Sequence, residues 1–186
     1  MRPETVNIKT GQLLLAEPFM DDPNFKRSVV LLCEHAASGS LGFIINKSLN
    51  MSLKEALPDM EGFDAQLHFG GPVETDTLHY VHTLGERLEG AMPIGGPLWW
   101  GGSFEMLTVL IQSGQVSPED IRFYLGYSGW SPGQLKEELG EAAWIAHPSH
   151  ADHVFTEEEH LWRQILREKG GKYRVMSNYP EDPVYN

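Results

Sequence analysis

Cysteine is almost missing from this sequence: Cys33 stands alone among 186 residues, so no internal disulfide can form. That excludes the disulfide-stapled secreted scaffolds and fits a reducing compartment. Long apolar runs are missing too. The longest, such as Val29–Cys33, fall far short of the roughly 18 to 20 residues that a membrane-spanning helix needs. Met1–Thr10 mixes Arg2, Glu4 and Lys9 with polar residues and lacks the apolar core of a signal peptide. A cytoplasmic protein with no membrane partner is expected. Positive charge is scarce, with 14 basic residues against 26 acidic ones and a net charge of −12. A field of that sign repels polyphosphates and anionic surfaces. The basic residues come in short scattered groups, such as Lys26–Arg27 or Lys169 with Lys172 and Arg174, and form no dense stripe. Direct nucleic-acid binding, which needs a basic face, is not expected.

The length suits one domain, and it buries enough surface to need no staples. The expected division is an extension over 1–10, a domain over 11–176 and a tail over 177–186. Gly11–Ala16, Ser28–His35, Leu41–Asn46, Gln66–Phe69, Thr77–Thr83, Ile121–Tyr127 and Ala143–Ala146 read as strands. The run at Ser28–His35 is continuously apolar rather than alternating, which predicts a strand buried on both faces. Four helices are expected. Ser52 with Glu55 forms a capping box ahead of Leu53–Leu57, and Ser103 caps a helix that Gly114 ends. Ser131-Pro132 with Gln134 opens a third, which ends at Gly140. Thr156 with Glu159 opens the last, whose first turn would carry Glu157–Glu159 and whose end is Gly170-Gly171. Strands outnumber helices and do not alternate with them, so the expected class is α+β. The sheet would be mixed, able to curl toward a barrel, with three to four flanking helices.

Leu32-Cys-Glu-His35 followed by Gly42-Phe-Ile-Ile-Asn46, then Gly70-Gly-Pro-Val73, then Leu125-Gly-Tyr-Ser-Gly-Trp130 running into Gly133-Gln-Leu135 stand in a fixed order. Gly11-Gln-Leu-Leu with Asp22-Pro23 and Phe25 precedes them. Together these stretches resemble the AlgH/YqgE family of bacterial proteins from about Gly11 to Trp162. The resemblance implies a compact α+β fold and a cytoplasmic bacterial protein. It brings no agreed catalytic residues, and some members carry a transcriptional-regulator label. His82 matches the family pattern. Ser128 replaces its usual Ala, and Trp99-Trp100 and the histidines from His147 onward lie outside it.

Three groups of residues carry possible chemistry. Cys33 and His35, two apart on a strand, would share a face and could pair a thiol with its base; a buried inert thiol is the plainer reading. Gly126, Tyr127, Ser128, Gly129 and Trp130 belong to a glycine-rich turn, Gly126–Gly133, that would lead into a helix N-terminus. Its free N–H groups could cradle an anion, or it could be a plain tight turn. It is neither a nucleophile elbow nor a P-loop, because the glycine and lysine positions those motifs need are not filled. His147, His150 and His153 recur every third residue and could bind zinc, although Pro148 interrupts any shared helix and solvated loop histidines explain them as well. No cofactor is expected. With no complete catalytic signature, the reading is a non-catalytic domain that binds an unidentified small molecule or protein. An indirect regulator, or an enzyme using Cys33 and His35 or the Gly126–Gly133 turn, is the alternative.

Overall fold

Alternation along the first two strands decides the layering. In the computed structural model, which describes residues 7–60, 62–156 and 159–181, β1 (Gln12–Ala16) pairs antiparallel with β2 (Val29–Ala36). Leu13, Leu15, Val29 and Leu31 enter one apolar cluster, while Leu14, Ala16, Val30 and Leu32 enter another. All eight are fully buried, so the strands are covered on both faces as far as Cys33, as the continuous apolar run of the second predicts, while Glu34–Ala36 at its end are exposed.

The remaining elements are β3 (Gly39–Ile44), β4 (Ser48–Ser52), α1 (Leu53–Ala56), β5 (Gln66–Phe69), β6 (Val73–His82), β7 (Met92–Gly95), β8 (Leu98–Trp100), α2 (Phe104–Gln112), β9 (Ile121–Trp130), α3 (Gln134–Gly140), β10 (Trp144–Pro148), α4 (Ala151–Phe155), α5 (Leu161–Lys169) and α6 (Lys172–Met176). The main sheet runs β10-β1-β2-β3-β9-β6-β8-β7, with β5 pairing both β4 and β9. β5 and β9 are parallel and the other pairs antiparallel. The fold is a mixed α+β domain. Its sheet stays open among the described residues: β10 and β7 end the hydrogen-bonded path, so barrel closure does not occur.

Helix α5 covers one face through Leu161, Trp162, Ile165 and Leu166, and Leu135 of α3 joins Trp130 and Trp144 on the other. A third cluster lies under α2, where Leu107, Leu110 and Ile111 meet Leu67, Tyr80 and Phe123. Ser103 caps α2 by accepting a hydrogen bond from the Met106 N–H at 3.2 Å, and the Ser52 N–H donates to Glu55 at 2.7 Å, as the capping patterns predict.

Several expectations are corrected. Six helices flank the sheet among the described residues, not three to four, because α4 and α6 are five-residue helices too short to show a period. The last long helix starts at Leu161 behind His160, not at Thr156. Thr156 instead ends α4 in an extended conformation. Of the acidic residues expected in its first turn, Glu159 lies ahead of the helix and Glu157 and Glu158 lie outside the described residues. Ser131 does not cap α3. Its N–H donates to Gln134 Oε1 at 2.9 Å, but the chain passes through left-handed Gly133 before the helix begins. Strands β4, β7 and β8 are additions to the expected set: β4 is mostly exposed, and β7 and β8 are short and flank the Gly96-Pro97 turn.

Candidate ligand-binding groove

The glycine-rich stretch 126–130 is not a turn. It is the second half of β9, where that strand changes partners. Over Phe123–Leu125 one edge of β9 pairs with β5, and over Ser128–Trp130 the same edge pairs with β3. The change happens at a crossing of backbones. Gly126 has φ +70°, and a Cβ there would lie 2.4 Å from the Gly71 carbonyl oxygen. A Cβ on Gly70 would lie 2.3 Å from the Gly126 carbonyl oxygen, and one on Gly71 would lie 2.2 Å from the Tyr127 carbonyl. Only glycine permits such an approach. The buried Ser128 hydroxyl ties the crossing down by donating to the Gly70 carbonyl at 3.1 Å.

Beyond the crossing the strand opens onto a groove of about 400 Å³. The β2–β3 hairpin supplies Glu34, Ser38, Ser40 and Leu41, β6 supplies Val73, and β9 supplies Tyr127, Gly129 and Trp130. Tyr127 is the aromatic wall: a Cβ at Gly129 would sit 3.3 Å from its ring. Trp130 is anchored beneath, its indole N–H donating to Glu138 at 2.9 Å. Trp144 donates to the same carboxylate oxygen at 2.7 Å, and the two indoles meet edge to face at 5.7 Å. Glu138 therefore fixes the groove's floor, a role no sequence motif announced.

Cys33 and His35 are not brought together. A β-bulge between Leu32 and Glu34 makes Cys33 the extra residue and reverses the alternation after it. Cys33 lies in the core, its S–H donating to the Leu31 carbonyl at 3.6 Å, and burial pushes its pKa well up. A thiol so placed stays protonated. His35 faces the other way, outside, where its Nδ1 lies 2.7 Å from the Ser40 hydroxyl. Their opposition across the hairpin could have been read from its register. A Ser–His contact is part of a nucleophile–base arrangement, but among the described residues no carboxylate orients the second ring nitrogen.

The fold and the groove now stand beside known proteins. The sequence profile of the DUF179, AlgH-like, family matches residues 13–174. The chain belongs to the AlgH-like family. A UPF0301 protein of Chlorobaculum tepidum is 44% identical over 180 residues, 96% of each chain. One of Cytophaga hutchinsonii is 42% identical over 178 residues, 95% of this chain and 98% of its own. The solution structure of AlgH from Pseudomonas aeruginosa superposes with a TM-score of 0.71 at 29% identity, over 97% of this chain and 99% of that one. A Corynebacterium diphtheriae crystal structure shares the fold, with a TM-score of 0.79 at 20% identity over 95% of both chains.

In this AlgH-like chain the three spaced histidines do converge. The rings of His147 and His150 lie 6.2 and 5.4 Å from that of His153. The nitrogens of His153, at the centre of the group, are spent elsewhere, however, while His147 Nδ1 is buried without a hydrogen-bond partner among the described residues. His153 Nδ1 accepts from the His150 backbone N–H at 3.2 Å, so its Nε2 carries the proton and points to Glu168 at 3.3 Å. Burial first, then Lys169 and His153, pull the His147 pKa down. Among the described residues no three His, Cys, Asp or Glu side chains are placed to hold a metal. His82 is wholly buried and structural: Nε2 donates to the Gly101 carbonyl at 2.8 Å and Nδ1 accepts from the Leu84 N–H at 3.2 Å.

Proposed function

We propose that this chain is a non-catalytic ligand-binding domain of the cytoplasm whose site is the groove between the β2–β3 hairpin and the end of β9. One observation carries the reading. Gly129 has an ordinary backbone conformation, and only the movable Tyr127 ring stands near its missing side chain. The fold does not require glycine there, whereas an open groove does. The walls offer Leu41, Val73 and the Tyr127 ring beside the hydroxyls of Ser38, Ser40 and Ser131. That mixture suits a small molecule with an apolar face and a hydrogen-bonding edge. A regulator's role, if exercised, would run through this ligand and not through duplex DNA, because a net charge of −12 leaves little counterion release to drive binding. No helix among the described residues is long and apolar enough to cross a membrane.

Native mass spectrometry of protein purified from its source tests the reading. A retained small molecule is expected, lost in Gly129→Val while the melting temperature changes little. A folded Gly129→Val protein that kept the molecule would place the site elsewhere.

A further inference from the structure

Five of the chain's 14 basic residues fall between positions 163 and 174, where Glu168 is the single acid. The fold sorts them. Gly170 and Gly171, both with positive φ, turn the chain back from α5 into α6. The two lysines are engaged elsewhere: Lys169 donates to the Ala146 carbonyl at 3.0 Å, and Lys172 lies 5.2 Å over the Tyr173 ring. The three arginines remain. Arg163 and Arg167, one turn apart on α5, and Arg174 on α6 line a hollow of about 480 Å³ together with His160, Gln164 and Glu168.

Glu168 does not neutralise them. One of its carboxylate oxygens accepts from Gln164 at 2.9 Å and the other faces His153 at 3.3 Å. Among the described residues no carboxylate forms an ion pair with Arg163, Arg167 or Arg174. A fourth guanidinium extends the positive ground. Arg27 lies 4.4 Å over the Trp162 ring and donates to the Tyr179 carbonyl at 2.7 Å. Burial chiefly, and then the charge of Arg163, pull its pKa down, against an opposing pull from the Glu181 carboxylate. Like charges gathered on a strongly acidic protein repel one another until an anion joins them.

We propose that the hollow between α5 and α6 binds a small phosphate-bearing anion through Arg163, Arg167 and Arg174. Guanidinium forks match phosphoryl oxygens bidentately, and permanent charges favour a ligand carrying two or more negative charges. The volume suits a small molecule. This site shares no residue with the groove at the end of β9.

Isothermal titration of the full chain with inorganic phosphate, pyrophosphate and adenosine triphosphate, at constant ionic strength, tests the proposal. Saturable binding of pyrophosphate is expected, tighter than phosphate and weakened at least tenfold by Arg163→Gln or Arg167→Gln. Arg163→Lys should recover only part of it. Lys136→Gln on α3 and Gly129→Val should leave it unchanged. Equal affinity for pyrophosphate and the nucleotide would mean that the phosphates alone are read, and tighter nucleotide binding that the nucleoside adds contacts; both support the site. The absence of saturable binding, an equal loss in Lys136→Gln, or tighter binding of a single-stranded oligonucleotide would overturn it.

Discussion

Over Phe123–Leu125, β9 lies between antiparallel β6 and parallel β5, whereas past Gly126 the β5 edge passes to β3 and the strand runs out beside a groove. The first part carries Phe123 and Tyr124, both fully buried, next to the buried His68 and His82. The second part carries Tyr127, half-buried, and the exposed Gly129. One strand thus serves as a core element and then as the floor of a candidate site. The glycines show the difference. Gly126 is glycine because a backbone passes within contact of it, and Gly129 is glycine where nothing but a movable ring stands close.

The sharpest way to break this comparison is Gly126→Ala. The substitution forces an L-residue to φ +70° and drives a methyl group into the Gly71 carbonyl. The left-handed conformation alone costs roughly 1–2 kcal/mol, and the overlap should carry the total past about 3 kcal/mol. Chemical denaturation should show a collapsed or barely stable variant. A loss below about 1 kcal/mol would mean that the crossing is loose.

Acid should attack the core half next. Burial pulls the pKa values of His79, His82 and His147 below the ordinary histidine value, and His82 keeps no exposure at all. The unfolded chain therefore takes up protons first, and stability rises with pH. It should be complete above the ordinary value of about 6.5 and be lost as pH falls through it toward the lower folded values. Melting temperatures measured from pH 7.5 to 5.5 should fall, less steeply in His82→Gln. A flat profile would contradict the neutral burial of these rings.

Ser128→Ala should matter less, although Ser128 is wholly buried. The Gly70 carbonyl would keep its hydrogen bond from the Ile44 N–H at 2.9 Å. With no acceptor orphaned, the expected loss is that of one net hydrogen bond, about 0.5–1.5 kcal/mol. A larger loss in a urea titration would show that the hydroxyl, and not the glycine packing, holds the crossing.

Much of this molecule was legible from local chemistry. The continuous apolar run at Val29–Cys33 announced a doubly covered strand, and the Ser52–Glu55 and Ser103 patterns announced helix starts. What stayed hidden depends on long-range geometry. The bulge that turns Cys33 inward and His35 outward is set by the pairing of β2 with β3, which strict alternation cannot reveal. Gly126–Trp130 has a turn's composition yet forms a strand, and its Gly126 answers to Gly70 and Gly71 more than fifty positions away. The arginine hollow was invisible for a similar reason. Arg163, Arg167 and Arg174 read as scattered until Gly170-Gly171 folded α6 back beside α5.

The smallest expected effect on stability is the most informative about the groove. Gly129→Ala adds a methyl group at a residue with no positive φ, so the folded backbone accepts it. Replacing glycine also narrows the unfolded ensemble, which favours folding by roughly 0.4–1 kcal/mol at compatible positions. Against this stands the contact at 3.3 Å with the Tyr127 ring, a side chain half open to solvent and able to shift by a few tenths of an ångström. The two effects oppose each other, and the net change should stay within about 1 kcal/mol. Denaturation of Gly126→Ala and Gly129→Ala side by side measures the contrast directly. If the second variant unfolded as readily as the first, Gly129 would be a packing residue, and the groove would be an incidental hollow at a strand end. If it stayed as stable as the parent protein, the missing side chain would be left for a ligand to explain, and the Tyr127 wall would be the place to look for its contact.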